Sequence, residues 1–161
     1  LNCAQFKSIY LILNLRRSNT MKTLYETRAT AKAGRQGQVS TDDGLLDVAL
    51  AYPKAMGGSG LATNPEQLFA AGYAACFSNA VLHVAKIGKV DITEAPVSAV
   101  VGIGANDAGG FALAVALEVS LDLPQEAAEA LVRHAHQVCP YSNATRNNID
   151  VKLSVNGVTL G

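Results

Sequence analysis

The chain contains no tryptophan, and its four phenylalanines and five tyrosines make up only 6% of 161 residues. Platforms that stack sugars or nucleobases are built from such rings, so their scarcity argues against both. Charge is scarce as well. Thirteen Lys and Arg balance thirteen Asp and Glu, and charged residues are 16% of the total. A net charge of zero provides no electrostatic footprint for nucleic acid or an anionic membrane surface. Low charge also suggests a partly covered surface, most simply covered by a second copy of the chain. Cysteine is limited to Cys3, Cys76 and Cys139. An odd count makes a poor disulfide framework and fits a reducing cytosol better. No apolar run reaches the ~18 residues that a membrane helix needs. CxxC and HExxH metal motifs are missing, as are a Gly-Lys-Ser/Thr phosphate loop, a complete GxGxxG fingerprint and a G-x-S-x-G elbow.

What is present is a chain that can bury a core. Apolar residues make up 49%, and the length suits one domain. The first twenty residues look foreign to it. They precede the first methionine, Met21, and their apolar stretch Ile9 to Leu15 is followed by Arg16 and Arg17. A signal peptide has its positive charges first and a small-residue cleavage site after. Residues 1–20 are therefore read as an extension outside the fold, taking Cys3 with them, and 21–161 as the domain.

From Met21 the pattern is strand-rich. Leu24 to Ala33 carries strand formers, and Asp42-Asp43-Gly44 is a hairpin signal with Leu45 to Leu50 returning. Met56-Gly57-Gly58-Ser59-Gly60 reads as a flexible loop. Thr63 or Asn64 then caps a helix with Pro65 and Glu66 in its first turn. This helix is apolar nearly all round and ends near Gly88, so it should be buried on most sides. Val97 to Ile103 is a strand, a turn follows at Asp107 to Gly110, and period-2 alternation runs from Phe111 to Leu123. Pro124 opens a second helix with an inner stripe of Ala127, Ala130, Leu131, Ala135 and Val138, stopped by Pro140. Ile149 to Val155 alternates as a last strand. The fold class is α+β, with antiparallel strands and a buried central helix.

Few residues carry chemistry. Cys76 lies inside the apolar helix, where its simplest reading is a small core hydrophobe. Cys139 sits at a helix end. The two could meet in space but need not. A reactive thiol requires a lowered pKa, and the helix dipole fades within the first turn, so a cation must come from elsewhere. Arg28, Arg35, Arg133 and Arg146 are available, Arg35 within the Gly34-Arg35-Gln36-Gly37 loop. A zinc site built from Cys76, Cys139 and His83 lacks the usual spacing.

The segment Asn64-Pro65-Glu66-Gln67-Leu68-Phe69-Ala70-Ala71-Gly72-Tyr73-Ala74-Ala75-Cys76-Phe77 closely resembles the first cysteine motif of the bacterial organic hydroperoxide resistance proteins, a branch of the OsmC-like family. Val138-Cys139-Pro140-Tyr141-Ser142-Asn143-Ala144-Thr145-Arg146-Asn147-Asn148-Ile149-Asp150-Val151 resembles their second. The resemblance extends from Met21 to Gly161. It implies an OsmC-like fold, with sheets wrapped around central helices in an intertwined homodimer. It also implies a cytoplasmic thiol peroxidase that reduces organic hydroperoxides without metal or resident cofactor. Cys76 would be the peroxidatic thiol and Cys139 the resolving one, with Arg35 as the active-site arginine and Glu66 holding it. The implied reductant is a dithiol such as dihydrolipoamide on a lipoylated protein. A non-enzymatic small-molecule or lipid-binding dimer of the same fold is the alternative.

One expectation is geometric. Glu66 and Cys76 are ten residues apart on one helix, about 15 Å along its axis. A straight helix cannot bring them into one site, so Glu66, together with Arg35, is expected to serve Cys76 of a second copy.

Overall fold

Glycine-bearing turns and short alternating segments lay down two sheets in the computed structural model, which describes residues 21–161. The expected extension and Cys3 lie outside the described residues. The first sheet has β1 (Ala29–Lys32), β2 (Gln38–Thr41) and β3 (Asp47–Ala49) in that order, all antiparallel. Strands β1 and β2 join through a 3₁₀ turn, Gly34–Gln36, entered by left-handed Ala33 and Gly34 with φ of 55° and 54°. Strands β2 and β3 join at the anticipated Asp-Gly signal, with Gly44 at φ 72°. Both flanking strands are shorter than the pattern suggested. No residue of this sheet is buried.

The glycine loop expected to be flexible is instead tied down. The Gly57, Gly58 and Gly60 N–H groups donate to the carbonyls of Lys54, Pro53 and Tyr52 at 3.0, 3.1 and 3.0 Å. A Cβ on Gly58 would run into the Tyr52 carbonyl, so glycine is needed here for close approach.

Helix α1 (Pro65–Gly88) starts and stops where expected. Asn64 Oδ1 accepts from the Gln67 N–H at 2.9 Å, Pro65 takes the first position, and left-handed Lys89 closes the helix. Its burial differs from expectation. Tyr73, Phe77, Ala80, Val81, Val84 and Ala85 form one buried face, while Ala71, Ala75, Asn79 and His83, spaced at i+4, are exposed. The described residues of a single chain cover only one side of this helix. The expected absence of a membrane-length apolar segment also needs correction. By length and composition α1 could cross a membrane, with a mean hydropathy of 1.4 over 18 residues. Counting uninterrupted apolar residues missed this, because averaging tolerates Ser78, Asn79 and His83. The helix packs against β4 and the second long helix, as a core helix does.

The second sheet has the order β4 (Val97–Ala105), β5 (Phe111–Val119), β6 (Val151–Val155) and β7 (Val158–Leu160). Strand β5 stops four residues before the alternation does. There the Asn156 side chain donates to the Leu121 carbonyl and accepts from its N–H, at 3.0 and 2.9 Å, and pulls the chain out of the ladder. The β5–β6 pairing is parallel rather than antiparallel. A helical crossover between the two strands makes this possible. It consists of α2 (Gln125–Val138) and α3 (Pro140–Thr145). Strand β7 was not anticipated, although Asn156-Gly157, both at positive φ, is a hairpin signal. The inner stripe of α2 is also corrected. Ala128, Leu131, Val132 and Ala135 are buried, whereas Ala127, Ala130 and Val138 are exposed. The stripe continues to Cys139, so α1, α2 and the sheet enclose one core with Tyr73, Phe77, Leu117 and Val155 at its centre.

Candidate active site

Pro140 fixes the position of Cys139. It cannot continue the α2 hydrogen-bond ladder, so α2 ends at Val138 and α3 begins afresh at Pro140, with Cys139 between them in extended backbone at φ −62°, ψ 125°. The side chain turns inward and is fully buried. Across from it, on the fourth turn of α1, stands Cys76, which is partly exposed. The Cys139 thiol donates to the Cys76 sulfur at 3.6 Å, and both thiols are free. Closing a disulfide from there requires an approach of about 1.5 Å.

Arg35 lies in the β1–β2 turn and Glu66 in the first turn of α1. The two meet in a bidentate pair, Nη1 to Oε2 at 2.7 Å and Nη2 to Oε1 at 2.5 Å. The side chains are 24% and 13% exposed, so the pair is shielded from much of the solvent screening that weakens surface pairs. The guanidinium holds the Glu66 carboxyl below the usual carboxylate range, and the carboxylate keeps Arg35 charged. The Tyr52 ring lies 5.9 Å from the guanidinium carbon.

The four candidate residues therefore form two pairs. Among the described residues, no hydrogen bond or ion pair links Arg35 or Glu66 to either thiol. Within one chain, burial pushes the Cys76 thiol up. The Tyr141 backbone N–H opposes this and Cys139 adds to it. An S–H donated by Cys139 would by itself favour a thiolate at Cys76. The net direction is nevertheless upward, because desolvation acts whichever sulfur carries the shared proton. Among the described residues of its own chain, no cation therefore acts on Cys76 as the expected one would.

Several neighbours were not singled out from sequence. The Tyr73 hydroxyl lies 3.0 Å from Ser142 Oγ and 3.2 Å from Thr145 Oγ1, all buried. Tyr141 lies over Gly72, where a Cβ would come within 3.1 Å of its hydroxyl. The i, i+3 spacing of Cys139, Ser142 and Thr145 was a signal for one shared face. Tyr52 had none. His136, one turn before Cys139, has a buried Nδ1 without a partner. Burial, with Arg146 nearby, pushes its pKa down and favours the neutral ring. Among the described residues, no three His, Cys, Asp or Glu side chains are grouped to hold a metal.

A family model described as OsmC-like protein matches residues 57–154. That span includes Glu66, Cys76 and Cys139 and begins after Arg35. The chain is 46% identical over 134 residues to organic hydroperoxide resistance protein OhrB of Bacillus subtilis, covering 82% of this chain and 98% of the relative. It is 47% identical over 137 residues to the organic hydroperoxide resistance protein of Xanthomonas axonopodis pv. citri, covering 83% and 96%. Among solved structures it is similar to a Vibrio cholerae protein described as an organic hydroperoxide resistance protein, with captopril bound in one of its active sites. The TM-score is 0.86 and the identity 65%, covering 89% of this chain and all of the other. The chain therefore belongs to the OsmC-like family, in its organic hydroperoxide resistance branch.

Proposed function

We propose that residues 21–161 form a cytoplasmic bacterial thiol peroxidase that reduces organic hydroperoxides to alcohols. The observation carrying this reading is the 3.6 Å approach of a partly exposed and a buried free thiol. The relatives' names supply the substrate class. Cys76, as thiolate, attacks the terminal oxygen of ROOH. The O–O bond breaks, the alcohol leaves, and Cys76 becomes a sulfenic acid. Cys139 then attacks the Cys76 sulfur. The S–O bond breaks, water leaves with the Cys139 proton, and a disulfide remains. A dithiol, dihydrolipoamide on a lipoylated protein in this reading, returns both thiols. No metal or resident cofactor is needed.

The thiolate needs a positive neighbour, and Arg35 is a guanidinium already oriented by Glu66 and Tyr52. In our reading the functional unit is an intertwined homodimer in which the Arg35–Glu66 pair of one chain faces Cys76 of the other. Two features support it. One side of α1 is uncovered, and the three-stranded sheet bearing Arg35 has no buried residue of its own. Alkyl groups of the substrate gain about 25 cal/mol per Å² buried against apolar walls, which hydrogen peroxide cannot collect.

Rapid-mixing turnover with an alkyl hydroperoxide and with hydrogen peroxide, dihydrolipoamide as donor, tests the reading. The expected result is preference for the alkyl substrate, loss of turnover in Cys76→Ser, and single-turnover oxidation ending in sulfinate in Cys139→Ser. Retained turnover in Cys76→Ser would overturn it.

A further inference from the structure

The buried hydroxyls beside the thiols have no part in the chemistry above. Tyr73 precedes Cys76 by three residues, so the two project from adjacent turns of the same face of α1. Its hydroxyl bridges to Ser142 and Thr145, both on α3 and both within 5% of full burial. Thr145 Oγ1 also lies 3.0 Å from the Tyr141 carbonyl and 3.2 Å from that of Ser142. Gly72 admits the Tyr141 ring against α1, with ring centroids 5.6 Å from Tyr73 and 6.1 Å from Phe69. The Tyr73 bridges and the Tyr141 ring hold α3, the segment immediately after Cys139, against α1, and the two Thr145 bonds to carbonyls close α3's own last turn. Cys139 itself sits at a helix break, where ψ is outside the helical range, while its N–H still donates to the Ala135 carbonyl and its own carbonyl accepts from the Asn143 N–H, both at 2.9 Å, which leaves the side chain as the part that can turn.

We propose that Tyr73, Ser142 and Thr145 are positioning residues that clamp α3 onto α1, so that the Cys139 side chain turns through a short path onto the Cys76 sulfenic acid. The inference rests on the peroxidase reading and extends it to the resolution step. Two reactions compete for the sulfenic acid. In one, Cys139 displaces hydroxide from sulfur, the S–S bond forms, and water leaves. In the other, a second ROOH transfers oxygen to the same sulfur, giving sulfinate and ROH, which this disulfide cycle does not reverse. The first is intramolecular, so its rate depends on how narrowly Cys139 is held near its target. The clamp therefore sets the peroxide concentration at which the enzyme inactivates.

The test is the partition between disulfide and sulfinate at Cys76, read by intact mass over a series of alkyl hydroperoxide concentrations. Tyr73→Phe keeps the ring and removes the hub, and Thr145→Val removes one arm at nearly constant volume. In each the half-inactivating peroxide concentration is expected to fall about fivefold, the scale of one buried hydrogen bond. Val81→Ala weakens the same helix without touching a hydroxyl and should leave the partition at the wild-type value. An unchanged partition in both hydroxyl variants overturns the proposal, and so does an equal shift in Val81→Ala. If the wild type fails to consume alkyl hydroperoxide through its thiols, the peroxidase reading itself has failed. Thr145→Val keeps the question open to measurement should Tyr73→Phe not fold.

Discussion

At the scale of single residues, the site depends on how each ionisable group is partnered. Glu66 illustrates the sign. Its carboxyl is held below the ordinary range by the Arg35 guanidinium, so the folded state prefers the ionised form. A depressed acid contributes stability above its unfolded pKa, about 4.3 for Glu, and loses it as pH falls through the folded value. The difference in melting temperature between wild type and Glu66→Gln should thus be constant near neutrality and shrink to nothing in acid. A difference independent of pH would show that the pair adds no linked stability. Cys76 shows the opposite environment, with its thiol pushed up by burial within its own chain. Both cysteines were visible in the motifs. Their 3.6 Å approach was not, because the thiols are 63 residues apart and the approach depends on where Pro140 breaks a helix.

At the scale of elements, short turns deliver the chemistry. The β1–β2 hairpin carries Arg35 on a turn whose exit residue is Gly37. A Cβ there would run into the Lys32 carbonyl. Gly37→Ala is expected to cost about 1–3 kcal/mol, the usual range for overpacking, and to move Arg35 off Glu66. Turnover should fall. A denaturant midpoint and activity equal to wild type would refute it. The long elements were legible from their caps and period. Asn64 and Pro65 marked the start of α1, and alternation marked β5. The end of β5, the face of α2 and the parallel β5–β6 pairing were not, since each is decided by a partner distant in sequence, such as Asn156 for Leu121.

At the scale of the whole molecule, the two pairs must be brought together. Arg35–Glu66 and Cys76–Cys139 are both complete, yet no bond joins them within the described chain. If the pairs combine across a dimer, two inactive variants should rescue one another. Cys76→Ser chains and Glu66→Gln chains, unfolded together and refolded, would form mixed dimers with one intact site each. Random reassortment should then restore about a quarter of wild-type activity. No recovery would place the pairs within one chain and sink the cross-chain arrangement.

The amino-acid sequence alone determined the α+β class, the caps and span of the central helix, the two thiols and the family. These are local signals: periodicity, turn residues and contiguous motifs are written in neighbouring positions. Only the tertiary structure decided that the thiols touch, that Arg35 and Glu66 form a bidentate pair, and that Tyr73 ties α3 to α1. Each of those depends on contacts across 31 to 72 residues, and such distances are set by core packing rather than by any stretch of chain.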